Sequence, residues 1–389
     1  MKIEGLRIKN FRMFKDIALS DIPQLCVFVG ANGTGKTTLF DAFGFLHDAL
    51  IHNVRQALQV RGGFKEVVSR GSDGPIEFEI KFRQDSGRPL VTYLLAFGLD
   101  NGIPVVELEV LKYRRGSHGQ PWKFLDFSKG TGWAITNEEN ATETEIKREQ
   151  QKLDSPDILA IKGLGQFQQF PVVSDFRKLI ESWHVSDFHI SDARPSQDAG
   201  VAEHLSKRGD NLALVAQYMY ENHRPQFDEV LKKMAQRVPG VSKVEAAETE
   251  DGRIVLKFQD GAFKDPFIAR FVSDGTIKMF AYLLLLHDPY PHPLLCVEEP
   301  ENQLYPDLLL ELAEEFRSYA ERGGQVFIST HSPDFLNGVK IDEIFLLSKR
   351  DGFTQIKRAA DDELLHKLVS EGDLPGYLWK QKLFKGLSE

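Results

Sequence analysis

Residues 30–37 read GANGTGKT and satisfy the phosphate-cradling spacing G-x-x-x-x-G-K-[ST] at every required position. The flanks restrict the fold further. Residues 25–29 (LCVFV) form an unbroken apolar run, the signature of a strand buried on both faces. Beyond the glycines, Leu39, Phe40, Phe43, Leu46 and Leu50 recur at helical spacing, so Lys36 is predicted to open a helix. Strand, glycine loop and helix start together aim backbone N–H groups and a positive dipole end at one point, which suits a polyphosphate. In that arrangement Gly30, Asn32, Gly33, Thr34, Gly35 and Thr38 shape the cradle. Lys36 neutralises the β- and γ-phosphates, and the Thr37 hydroxyl ligates Mg²⁺.

The C-terminal third narrows the chemistry. Residues 294–300 (LLCVEEP) read as an apolar strand ending in two carboxylates. Glu298 is placed to hold Mg²⁺, directly or through water, and Glu299 to orient and deprotonate an attacking water. A second apolar strand, residues 325–330, ends in His331, a candidate γ-phosphate sensor. The turn at Ser273, Asp274 and Gly275 leads into an apolar helix from Ile277 to His287. Ser273 or Asp274 is the expected N-cap, and the turn offers a second anion site.

These motifs resemble the ABC-type ATPase superfamily, in its SMC/RecF/OLD-like branch rather than its transporter subunits. The resemblance rests on Gly30 to Thr37 and on residues 6–14 (LRIKNFRMF), similar to that branch's first strand. It rests also on Ser273-Asp-Gly-Thr276 as the signature motif, Glu298-Glu-Pro-Glu301 as Walker B and its extension, and Thr330-His331 as the switch histidine. It covers the N-terminal 60 residues or so and the chain from Phe271 onward. It implies an α/β fold: an ABC-type P-loop ATPase head with an antiparallel β-lobe and a helical insertion. The segments are expected at 1–135 (P-loop and β-meander), 136–240 (mainly helical insertion) and 241–389 (signature, Walker B, switch histidine).

The resemblance also implies Mg²⁺ as cofactor and a homodimer, or a higher even oligomer, in which two heads sandwich ATP. The signature turn of one copy completes the γ-phosphate site of the other. Similar bacterial ATPases of anti-phage defence and genome maintenance carry the same E-E-P-E and S-D-G-T. The expected function is therefore a slow ATP-hydrolysing switch that regulates a separately encoded effector, a nuclease or toxin. A RecF-like DNA-repair ATPase and an ATP-binding scaffold with little turnover are the alternatives. Glu298 stands where most relatives have Asp, and Asp274 replaces a glycine, bringing a carboxylate near a γ-phosphate. Gln56, Gln59 and Gln84 are candidates for the glutamine loop.

Composition excludes several other classes. With 42% hydrophobic residues in 389, the chain can bury a large core and is not globally disordered. Residues 1–5 lack the apolar stretch of an export signal, and the longest apolar run, Met279 to Leu286, is too short to span a bilayer. Cys26 and Cys296 fall in predicted buried strands, so a cytoplasmic protein without membrane contact is expected, with Asn140 an idle glycosylation sequon. A net charge of −9 argues against a constitutive duplex-DNA clamp, leaving nucleic acid possible only at a local basic patch; Lys207-Arg208 and Lys232-Lys233 are modest groups.

Between the motifs, residues 76–82, 91–99 and 106–110 alternate apolar and polar side chains, an antiparallel meander with Val106, Leu108 and Val110 on one face. The charged stretch 137–151 reads as a solvated loop or frayed helix. Helices are expected around Phe176–Trp183, Leu212–Tyr220 and Phe227–Met234, and strands at Ile254–Phe258 and Ile344–Leu347. A helix with Leu364, Leu365 and Leu368 follows Asp361. No sustained heptads mark a coiled-coil arm, and the stretch after His331 is too short for a Toprim nuclease. His184 and His189 read as ordinary residues, because no Cys or further close His completes a metal site. Leu378, Leu383, Phe384 and Leu387 form a small apolar set near the end, able to dock on a partner or on the chain's own core.

Overall fold

A computed structural model describes residues 2–85, 87–113, 121–136 and 147–384. The chain divides into two compact units. The first comprises residues 1–183, 341–370 and 382–389, the second residues 184–340 and 371–381. Segments taken in chain order cannot reproduce this division, because residues 341–370 return to the first unit and pair there.

In the first unit the strand Leu25–Gly30 is buried at every position. It runs parallel to Ile344–Arg350, with Val27 opposite Ile344 and Gly30 opposite Leu347. Phe353–Arg358 closes this group as an antiparallel neighbour. The helix Lys36–Ile51 follows the glycine loop. Its ring side chains hold it on two sides: Phe40 meets Phe28 edge-on at 6.4 Å, while Phe45 stacks on Phe97 at 4.9 Å. Phe97 belongs to an eight-stranded antiparallel sheet that is a meander from Ile76 onward. Three of the first unit's hairpins turn through Asn101-Gly102, Lys129-Gly130 and Asp351-Gly352, each with positive φ at both central residues. That is the backbone twist a two-residue antiparallel turn requires.

The meander departs from simple alternation at one strand. Register shifts at Ala96/Phe97 and at Leu111/Lys112 turn Leu108 outward and bury Glu109 instead. Burial raises the Glu109 carboxyl to a pKa of about 7, with hydrogen bonds from the Ile161 and Ala160 amides and the Tyr93 hydroxyl opposing the rise. The Tyr93 hydroxyl donates at 3.0 Å and Ile161 N at 2.9 Å, so the buried group is satisfied. The charged stretch is also corrected in part. Arg148–Lys152 is an edge strand paired with Thr131–Ile135, while residues 137–146, with Asn140, lie outside the described residues. An edge strand wet on both faces suits polar side chains, so composition alone hides it.

The second unit has three parallel strands, His184–Ser186, Leu294–Glu298 and Gln325–Thr330, with the Leu294 strand in the middle. The helices Asp274–Leu286 and Leu308–Glu321 and the pair Leu212–Asn222 and Arg224–Arg237 belong to it, as does the antiparallel pair Val241–Glu248 and Arg253–Asp260. Of the terminal apolar set, Leu378 is buried in the second unit and Phe384 in the first, while Leu387 lies outside the described residues. No helix among the described residues is long and apolar enough to cross a membrane.

Glu315, on the helix Leu308–Glu321, collects Lys233 (2.5 Å), Arg237 (2.5 Å) and His287 (3.5 Å). Burial alone would raise its pKa, but the adjacent His287 imidazole, the hydrogen bond from Lys233 and the charges of Arg237 and Lys233 bring it down to about 2. A carboxyl depressed in the folded state stabilises above its unfolded pKa and loses that contribution as pH falls through the folded value. Stability is therefore expected to fall between about pH 4.5 and 2, with on the order of 3 kcal/mol of that loss traceable to Glu315. Acid unfolding of wild type and Glu315→Gln checks this: the variant starts less stable at neutral pH and shows a shallower decline below pH 4.5 (about the usual value for the residue).

Candidate nucleotide-binding and catalytic residues

The glycine loop has the backbone a phosphate cradle needs. Gly33 (φ +77°) and Gly35 (φ +104°) lie in the left-handed region. Space around Gly33 is open, so its requirement is conformational. At Gly30 the requirement is steric: a Cβ would lie 2.5 Å from both Leu347 O and Thr34 Oγ1. Thr34 Oγ1 donates to Ala31 O at 2.9 Å, and Thr354 Oγ1 donates to Thr34 O at 2.7 Å, so a returning strand ties down the loop.

Gly35 caps the following helix without a side-chain bond, and no acid occupies the first turn. Its N-terminal amides thus lack a side-chain acceptor at the cap, the condition for anion binding. Asn32, Gly33 and Thr37 are exposed, while Thr34, Gly35, Lys36 and Thr38 are buried. Lys36 Nζ folds back onto the loop, donating to Gly30 O (2.8 Å) and Ala31 O (3.1 Å). Asp41, one turn on, binds Arg12 (3.1 Å) and Arg61 (2.8 Å), and Arg61 also reaches Asp48 at 2.8 Å. This network fixes the helix that carries Lys36, and the motif reading missed it. Of the glutamine candidates, Gln84 is engaged by Asp175.

In the second unit the acidic motif follows its strand. Glu298 is the last strand residue, and the chain turns sharply at Glu299, which adopts φ +44°. A left-handed glutamate is strained, and its surroundings hold it there. Its amide donates to Ser329 O (2.9 Å), and Asn302 Nδ2 donates to Oε2 (3.0 Å). His331 Nε2 meets Oε1 at 2.5 Å. The carboxylate expected to act as base and the expected sensor histidine are thus one hydrogen-bonded pair. Glu301 supports it from below: its Oε1 accepts from Thr330 Oγ1 (2.8 Å) and His331 N (2.7 Å). Its Oε2 is buried without a hydrogen-bond donor, an acceptor that suits a cation or an ordered water.

The turn at Ser273 packs on the same acidic loop. Ser273 is the N-cap, accepting from Thr276 N at 3.3 Å. Gly275 permits close approach, since a Cβ there would lie 2.9 Å from Gln303 O. Lys278, one turn into the helix, is buried and donates to Asn302 O at 2.7 Å. Burial lowers its pKa to about 8 against the opposing charges of Glu301, Asp187 and Glu299. Asp274 has a partner within its own unit. Its carboxylate does not stand as an isolated negative charge, because Arg194 binds it while also donating to Ala269 O (2.8 Å) and Arg270 O (3.1 Å). The pairing neutralises the charge that the sequence places in the signature turn.

The family described as "AAA domain, putative AbiEii toxin, Type IV TA system" matches residues 25–337. The chain is 20% identical over 358 residues to an ATP/GTP phosphatase of Helicobacter pylori, covering 86% of each. It is 35% identical over 74 residues to the DNA replication and repair protein RecF of Idiomarina loihiensis, 19% of either chain. It therefore spans about a fifth of the length of the RecF relatives it matches. Among solved structures, an SMC head bound to the C-winged helix domain of ScpA aligns with a TM-score of 0.56 and 15% identity, over 92% of this chain and 98% of that one, a likeness of fold. With the family match running from residue 25 past His331, the chain belongs to this AAA-domain family, and its α/β fold is like that of an SMC head.

Proposed function

We propose that the chain is a Mg²⁺-dependent switch that binds and hydrolyses ATP, dimerises head to head around it, and gates a separately encoded nuclease or toxin in anti-phage defence. The observation that carries hydrolysis is the Glu299–His331 pair, held by Asn302 and Ser329 on a strained turn. A general base needs an orienting partner and a fixed position, and Glu299 has both. In this reading the loop amides and Lys36 bind the β- and γ-phosphates, Glu299 takes the proton of the attacking water, and His331 senses the γ-phosphate. Ser273, Asp274 and Gly275 contact the nucleotide of a second copy.

The exposed Thr37 hydroxyl at an uncapped helix start, and Glu298 at its strand end, fit roles as Mg²⁺ ligands. When bound, the ion offsets phosphate charge as the bond to the leaving oxygen breaks. Slow turnover is part of the proposal. Lys36 has to leave two backbone carbonyls before it meets substrate. The family's description, which names a type IV toxin–antitoxin system, supports the setting of this proposal. A cytoplasmic site of action belongs to the same proposal.

The name of the RecF relatives favours a second reading, a DNA-repair ATPase. Against it, the small basic groups are engaged internally: Arg208 pairs with Asp192, Lys232 with Glu229 and Lys233 with Glu315. Light scattering of the full chain with Mg²⁺ and ATP, and with chelator in place of Mg²⁺, tests the switch. The expected result is a doubling of mass that needs both nucleotide and ion; a mass indifferent to ATP rejects it.

A further inference from the structure

His184, read as an ordinary residue for want of a close histidine in the sequence, has one beside it in the fold. Within the second unit the His184 ring stacks on His292 at 4.8 Å between centroids, and His204 lies 5.1 Å from His292 on its other contact. His204 Nδ1 is 2.7 Å from Asp288 Oδ2. One ligand atom from each of His204, Asp288 and His292 can be chosen so that all lie within 4.8 Å of one another. His189, by contrast, faces Asp187.

We propose that His204, Asp288 and His292 form a binding site for a divalent transition metal of the zinc class, with a fourth position open to solvent. Two imidazoles and a carboxylate suit Zn²⁺, Co²⁺ or Ni²⁺, whereas Mg²⁺ favours oxygen ligands alone. Ligands about 2.0–2.1 Å from a tetrahedral zinc stand roughly 3.4 Å apart, so modest side-chain rotation closes the set. His204 is free to make that movement, with its side chain 40% exposed, while Asp288 is 4% exposed.

The outer contacts are those of a positioned site. Tyr290 N–H donates to Asp288 Oδ1 at 2.8 Å, which leaves Oδ2 turned to His204. Asn211 Nδ2 holds His204 O at 2.9 Å, and Tyr319 Oη holds His292 O at 2.8 Å. Pro289, Pro291 and Pro293 alternate with these residues and fix φ around both ligands of the segment, lowering the entropy lost on binding. His184 orients the His292 ring by stacking. A metal here would clasp the segment carrying His204 to the segment that joins the signature helix to the strand ending in Glu298.

The test uses the full chain, stripped with chelator and dialysed, without nucleotide and with excess Mg²⁺. Titration with Co²⁺ alone is expected to give one equivalent bound with the visible absorption of a four-coordinate nitrogen–oxygen site, and Zn²⁺ to displace it. Zn²⁺ should also raise the melting temperature. His204→Ala and His292→Ala should each lose the absorption and weaken binding by at least about 100-fold, beyond the usual loss of an outer contact. His189→Ala should leave both unchanged. Because the His204 side chain is 40% exposed, its variant should fold, melting somewhat below the metal-free wild type for the lost bond to Asp288, so it decides the outcome even if His292→Ala folds poorly. Absence of the absorption in wild type, or its persistence in His204→Ala, overturns the site.

Discussion

Glu299→Gln is expected to lower steady-state phosphate release by about 10²–10⁴-fold, the range a positioned general base contributes. The change removes proton affinity and puts an amide nitrogen in place of the oxygen that faces His331. Glutamine keeps an oxygen to accept from Asn302 Nδ2, fits the same turn, and retains the backbone bond to Ser329. Its left-handed backbone, φ +44°, is equally strained for either residue. Binding of ATP should survive while hydrolysis stops, so the variant should accumulate as a nucleotide-loaded dimer. Phosphate release measured beside filter retention of labelled ATP separates the two steps. A variant that turns over as fast as wild type removes Glu299 from this role.

Lys36→Ala is expected to abolish useful nucleotide binding. A charged hydrogen bond contributes about 1.5–3 kcal/mol, and an ammonium shared by two phosphates sits at or above the upper value. A loss of about 3 kcal/mol is roughly 150-fold in Kd. Stability should change less than binding, since the bonds Lys36 donates to the Gly30 and Ala31 carbonyls are made within the loop itself. Lys36→Arg should not rescue, because a planar fork does not fit a cradle shaped for a point charge. Calorimetric titration with a non-cleavable ATP analogue and a thermal melt check both halves. Undiminished binding would mean that the loop grips phosphate through its amides alone.

What could be read from sequence alone was local. The glycine loop is contiguous, and its residue types are dictated by backbone geometry that the structure reproduces at Gly33 and Gly35. The parallel strands announced themselves as unbroken apolar runs, and the cap of the apolar helix as Ser273 or Asp274, of which the structure uses Ser273. Partnerships across the chain left no such trace. Arg194 and Asp274 are 80 positions apart, and nothing in either neighbourhood marks the other. The triad of His204, Asp288 and His292 escaped for the same reason, since histidines count as close only once the fold brings them together. Register shifts are equally silent, which is why Leu108 was assigned to the face that Glu109 occupies.

The hydrogen bond from Thr354 to the Thr34 carbonyl spans 320 positions. Translation at about 5–20 residues per second would take roughly 16–64 s to cover that distance. During this interval the nascent glycine loop has neither its threonine strap nor its neighbouring strand. Competence to hold a nucleotide therefore comes late in biosynthesis, and a polypeptide released early by a stalled ribosome would carry the complete motif without a working cradle.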